Sequence, residues 1–188
     1  MKGRLSVAAM ISLIIAAILT ALTLFVPWWG MKFYAPQYPE GLDIIVYPTT
    51  LAGNIDIVNG LNHYIGMAEF SNESFPELKF MPYIVIGFAI LILLVAIMRR
   101  KSFLYGLIVL FVVGGIVGIL DMYRWLKEFG TNLDPMAPIE LEPFIPPIIG
   151  ENVIANFVTH SYFTYGGYML FVVFLLVLYP LWKDRKKI

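Results

Sequence analysis

The chain has 188 residues, 60% of them hydrophobic and only 14% charged, and its 13 basic residues balance 13 acidic ones. Its mean hydropathy is +0.79. Soluble domains run at roughly 45–50% apolar and about 25% charged. This composition therefore excludes a soluble globular domain and a disordered tail, and zero net charge leaves no field to recruit nucleic acid. Cysteine is absent, which excludes disulfides, thiolate metal sites, iron–sulfur clusters, haem attached through CxxCH and a cysteine nucleophile.

Four stretches reach the ~20 apolar residues that a spanning helix needs: about 5–29, 80–98, 102–125 and 165–182. Backbone groups in lipid must be satisfied within their own segment, which predicts helices. The expected fold class is an all-α membrane protein, one domain over 1–188, with four transmembrane helices. Two long outer loops, about 30–79 and 126–164, are expected to form a cap. The first span starts with Lys2 and Arg4 but is longer than the roughly 7–15-residue core of a signal peptide, and it ends in Pro27-Trp28-Trp29 without a small-residue cleavage site. It reads as an uncleaved anchor with both tryptophans at the membrane interface.

Basic residues orient the spans. Lys2, Arg4, Arg99, Arg100, Lys101, Lys183, Arg185, Lys186 and Lys187 fall on one side, with Asp184 the one acid among them; Lys32, Lys79, Arg124 and Lys127 fall on the other. The expectation is a multi-pass protein of a prokaryotic cell membrane with both termini cytoplasmic, the basic tail touching anionic lipid.

In the first loop, Leu42–Tyr47 is rich in β-branched and aromatic residues and reads as a short strand. Asn54 is a good helix N-cap, Ile55–Ile65 reads as a helix, and Gly66 is its stop. Asn72-Glu73-Ser74 is a glycosylation sequon, relevant only in a eukaryotic secretory pathway. On the helix Asn59 and His63 share a face, with Met67 one turn on. Imidazole and thioether together suit Cu(I) where thiolate is absent. His160, Met136 and Met81 are the further candidates for a copper site. The competing reading is that the methionines pack and the histidines only hydrogen-bond.

Asp121 directly follows the third uncharged run, and an acid at that depth either pairs or functions. Arg124, three residues on, is its expected partner. The second loop carries Pro135, Pro138, Pro143, Pro146 and Pro147 and is apolar for a loop. It reads as a stiff, extended lid. Tyr38, Pro39, Glu40 and Phe144 are the candidate partner-binding residues. No GxSxG, HExxH, P-loop or GxGxxG occurs, so no enzyme is indicated.

Several phrases stand together: Ala35-Pro36-Gln37-Tyr38-Pro39-Glu40-Gly41-Leu42, Asn59-Gly60-Leu61-Asn62-His63-Tyr64-Ile65-Gly66-Met67, Phe75-Pro76-Glu77, Asn132-Leu133-Asp134-Pro135-Met136-Ala137-Pro138-Ile139 and Pro146-Pro147-Ile148-Ile149-Gly150. With them the chain, from about Pro27 to Gly167, resembles a family of small prokaryotic integral membrane proteins encoded beside copper chaperones and maturation genes of nitrous oxide reductase. The resemblance implies copper handling on the outer face, or support of an enzyme assembled there. Three functions follow as expectations. The first is an accessory protein that holds Cu(I) transiently for a copper chaperone or a copper enzyme such as nitrous oxide reductase. The second is a metal-free assembly or docking protein. The third is a redox or quinol-interacting subunit using Asp121, Tyr123 and His160.

Overall fold

The computed structural model describes residues 4–154 and 157–185. Lys2, Lys186 and Lys187, used above for orientation, lie outside them. In chain order the elements are α1 (Val7–Leu22) with a 3-10 turn (Thr23–Phe25), β1 (Trp29–Ala35), β2 (Tyr38–Val46), β3 (Leu51–Gly53), α2 (Ile55–Ile65), α3 (Glu77–Met98), α4 (Lys101–Thr131), β4 (Gly150–Ile154), β5 (Phe157–Phe163) and α5 (Tyr165–Lys183). Four helices, α1 with its 3-10 turn, α3, α4 and α5, are long and apolar enough to cross a membrane, and fit a multi-pass membrane protein.

The all-α expectation is wrong. The segments taken as loops build a five-stranded antiparallel sheet in the order β3-β2-β1-β5-β4. The strand expected over Leu42–Tyr47 is the second half of β2. Four further strands stand where none was anticipated, and one of them, β1, takes the last residue of the first expected span. The physical reason is alternation. In β1, Trp29, Met31, Phe33 and Ala35 are buried while Lys32 and Tyr34 are half-exposed, the period of two that a half-covered strand requires.

Pro27 lacks the amide that would continue α1, and the chain turns from helix to strand there. Trp29 is consequently not a lipid-facing belt residue. It is 6% exposed beneath the sheet, and its indole donates to the Ile148 carbonyl at 2.8 Å. The Trp28 indole donates to the Thr23 carbonyl at 2.9 Å.

Inside the helix layer, α1 is the axis. Leu5, Ala9, Leu13, Ala16 and Ala17 meet Ile92, Val95 and Ala96 of α3 and Val173 and Val177 of α5. The small side chains let α3 and α5 approach closely, as membrane helices require where no hydrophobic effect drives association. By contrast α4 touches its neighbours sparingly, through Leu104 and Leu107 and through Phe111, which stacks on Phe174 at 5.3 Å and meets Phe88 edge-on at 6.0 Å.

At 31 residues α4 is ~46 Å long, against ~30 Å of hydrocarbon. Its last turns stand clear of the helix layer and support the sheet. Met122 and Leu126 pack with Val58 of α2 under Trp29, Met31, Phe33, Leu42 and Ile44. Phe129 joins Ile65, Met67, Phe70, Phe75 and Trp125 in an aromatic cluster alongside.

The sheet and the helices meet without a linker. The Thr164 amide donates to the Trp28 carbonyl at 3.1 Å, and the Gly166 amide to the Pro27 carbonyl at 2.7 Å. The α1–α5 pair thereby continues as the β1–β5 pair. A Cβ on Gly166 would lie 2.6 Å from the Pro27 oxygen and closer still to the Trp28 ring, so only glycine fits. We expect Gly166→Ala to lower stability by about 1–3 kcal/mol, read as an earlier thermal unfolding transition in detergent. Gly60→Ala, in open space on α2, should leave the transition unchanged or raise it.

Candidate functional site

The helix Ile55–Ile65 forms where the sequence places it, and Gly66 ends it in the left-handed conformation at φ 75°. Asn54 stands at the N-cap position, but its side chain makes no capping bond. Its side chain accepts from the Asp43 amide at 3.0 Å and its own amide donates to the Asp43 carbonyl at 2.7 Å, which fastens the start of α2 to β2. Asn59, on the face it shares with His63, clamps the returning chain by accepting from the Phe70 amide at 2.8 Å and donating to the Phe70 carbonyl at 2.9 Å.

His63 and Met67 are four residues apart but do not converge. The turn at Gly66 takes Met67 out of helical phase and buries it, at 6% exposure, against Ile65 and Phe129. His63 is exposed, and the Tyr64 ring lies 6.2 Å away. The other three candidate ligands lie on separate elements: Met81 on α3, Met136 at 89% exposure in the turn after α4, and His160 on β5. Among the described residues no three His, Asp or Glu side chains gather as a metal site. One pair does share a neighbourhood. The turn around Met136 docks on the end of α2 through Asp134 N to Gly66 O at 2.8 Å and Ile139 N to Tyr64 O at 2.9 Å, so His63 and Met136 are both exposed at that tip.

The Arg124 guanidinium donates to Asp121 at 2.8 Å and also to Glu77 of α3 at 2.6 Å. It stacks on Trp125 at 4.5 Å. Glu77 was not singled out in the sequence, because nothing along the chain says that the start of α3 lies beside Arg124. The trio staples α3 to α4 at the sheet end. Among the described residues, the second Glu77 oxygen and the Trp125 indole N–H are buried without a hydrogen-bond partner.

Of the residues considered for partner binding, Pro39 and Glu40 are exposed just past the Pro36-Gln37 hairpin turn, and Tyr38 is half-buried over the core under the sheet. Phe144 is a plug. Its amide donates to the Gly130 carbonyl at 2.9 Å and its ring packs beside Met67 and Phe129. The second loop also walls an open apolar groove of about 620 Å³ with Ile119 and Tyr123 of α4.

The feature missed in the sequence is the other face of the sheet. Cross-strand partners point to the same side. The register Glu151↔His160, His160↔Lys32 and Lys32↔Asp43 therefore lines up a carboxylate, an imidazole, an ammonium and a second carboxylate across β4, β5, β1 and β2. The Lys32 ammonium lies 4.0 Å from Asp43 and 5.8 Å from the Tyr34 ring centre. The His160 and Tyr162 rings are 5.6 Å apart. Tyr162 lies over Gly30, where a Cβ would come within 3.0 Å of its ring. Alternation within β1 and β5 was the only signal for this row.

Such a face has the chemistry of recognition. Tyrosines offer rigid amphipathic area, and paired charges of both signs select register and partner. Burial, then the Asp43 carboxylate, then Tyr34 hold the Tyr162 phenol above the usual tyrosine range. The folded state therefore favours the neutral phenol. That contribution is intact below the ordinary value of about 10 and is lost as pH rises through the higher folded value. A labelled-tyrosine NMR titration should show the Tyr162 signal, assigned by Tyr162→Phe, ionising above pH ~10.

His63 and Met67 behave differently under truncation. Met67→Ala should cost about 2–5 kcal/mol, whereas His63→Ala should fall within about 0.5 kcal/mol of the parent, both read from unfolding midpoints. No family model matches the chain, and no curated protein matches it.

Proposed function

We propose that the chain is a membrane-anchored accessory protein that docks a protein partner on the uncovered face of its sheet. The basic residues at the terminal end of the helices support a cytoplasmic position for both termini, which places the sheet outside. The observation that carries the reading is the asymmetry of the sheet. One face is packed on α2 and the end of α4, and the other presents the ordered row Glu151, His160, Lys32 and Asp43 between Tyr34 and Tyr162. The face is built on paired strands packed over an apolar core, an arrangement that limits the conformational entropy lost on docking. The family resemblance points to a copper enzyme or copper chaperone outside the membrane as the partner, in keeping with an assembly role.

A second reading, transient Cu(I) binding, now rests on His63 and Met136, the two candidate ligands exposed at one tip. A photo-crosslinking residue at position 34 or 162, in native membranes, should give the same adduct from both positions. Lys32→Glu should abolish it, and a crosslinker at position 64 should not reproduce it. Adducts from position 64 alone would move the docking surface to the tip. Absence of adducts, together with Cu(I) binding lost in both His63→Ala and Met136→Ala, would replace docking by copper handling.

A further inference from the structure

At the end of the helix layer that carries the termini, a pocket of about 230 Å³ opens on the seam between α4 and α5. Its inner walls are Leu104 and Leu181, and its rim holds Lys101, Tyr105 and Arg185. Asp184 also lines it, but its carboxylate is buried and faces the start of α1. Asp184 is 2% exposed and accepts from the Ser6 amide at 2.8 Å, at the positive end of α1. Its backbone carbonyl accepts from the Lys101 ammonium at 3.0 Å, which leaves two ammonium protons to spend.

The surroundings are cationic. Arg99 is turned inward onto the Leu5 carbonyl at 2.6 Å. Among the described residues, Arg4, Arg100, Lys101, Lys183 and Arg185 have no carboxylate within ion-pair distance. Tyr105 is 54% exposed at the same rim. An apolar slot under two cations and a phenol, open to the bilayer through a seam where α4 and α5 barely touch, is complementary to a molecule with an anionic head and an apolar tail.

We infer that Lys101 and Arg185, over the Leu104–Leu181 slot, form a binding site for one anionic phospholipid of the leaflet on the terminal side. The phosphate takes the spare protons of Lys101 and the guanidinium of Arg185, and an acyl chain enters the slot. This inference is independent of the docking reading. The lipid fills a sparse contact in the helix layer and so stabilises the fold by mass action.

The test uses the full chain in detergent, delipidated and titrated in turn with dioleoylphosphatidylglycerol, dioleoylphosphatidylcholine and inorganic phosphate. Native mass spectrometry counts the bound lipid, and thermal unfolding reads its effect. Phosphatidylglycerol should bind at one per chain and raise the unfolding temperature, with little effect from the other two. Arg185→Gln and Lys101→Gln should each weaken binding about fivefold, the worth of one cation at a lipid surface. Arg185→Lys should retain most of it. Arg4→Gln, which lowers the collar charge without touching the pocket, should bind like the parent.

Equal stabilisation by phosphate alone would make this a free-anion site and overturn the lipid assignment. An equal loss in Arg4→Gln, or none in Arg185→Gln, would replace the pocket by diffuse attraction to the collar. Arg185 is exposed, so its variants keep the test decisive even if Lys101→Gln disturbs the Asp184 contact.

Discussion

Two backbone hydrogen bonds, from Thr164 to the Trp28 carbonyl and from Gly166 to the Pro27 carbonyl, sit where helix becomes strand on both sides of the molecule at once. They satisfy polar groups that Pro27 and the end of α1 would otherwise leave open. They also set the register in which β1 meets β5. From this junction the architecture runs in both directions. Towards the termini, α1 lies between α3 and α5, and towards the sheet, β1 lies between β2 and β5. The same thirty or so residues thus supply the axis of both layers.

A sheet so placed needs cover on its apolar side, and the chain provides it by economy rather than by a separate domain. One helix, α4, simply continues past the membrane-spanning length and offers Met122, Leu126 and Phe129. A second, α2, adds Val58 and Ile65, and the apolar second loop closes the remainder through Phe144 and the carbonyl of Ile148. The prolines of that loop are useful here. They remove amides that would need partners in an apolar setting, and they reduce the entropy lost on docking.

Periodicities stated by strong residues were legible from sequence. The four apolar helices, α2 with its Gly66 stop and the second half of β2 all announced themselves through run length, turn chemistry or β-branched content. The rest failed for identifiable reasons. β1 directly follows an apolar span and runs into Pro36, so Trp29 was read as the end of a helix and residues 30–35 as loop. β5 buries Thr159 and Ser161 at 1% and 0% exposure. Two polar residues on the inward side erase the apolar/polar contrast by which a strand is recognised. His63 and Met67 looked paired because helical spacing was extended one residue beyond a glycine that ends the helix. Glu77 beside Arg124, and the row across the sheet, are tertiary facts. They depend on which strand pairs with which, and no local pattern states that.

The pairing of β1 with β5 joins the first and last parts of the chain, and this orders how the molecule can be made. When α1 and β1 have emerged, β2 can fold back on one edge of β1 at once. The other edge stays bare until residues 157–163 arrive. Throughout that interval a central strand is an open edge, the feature that invites pairing with foreign strands. Long-range strand pairing is also slow to form. A chain released before β5 therefore lacks more than the membrane helix that follows it. It lacks the closure of its own sheet, which makes truncation from the C-terminal end far more damaging to the cap than its distance along the sequence suggests.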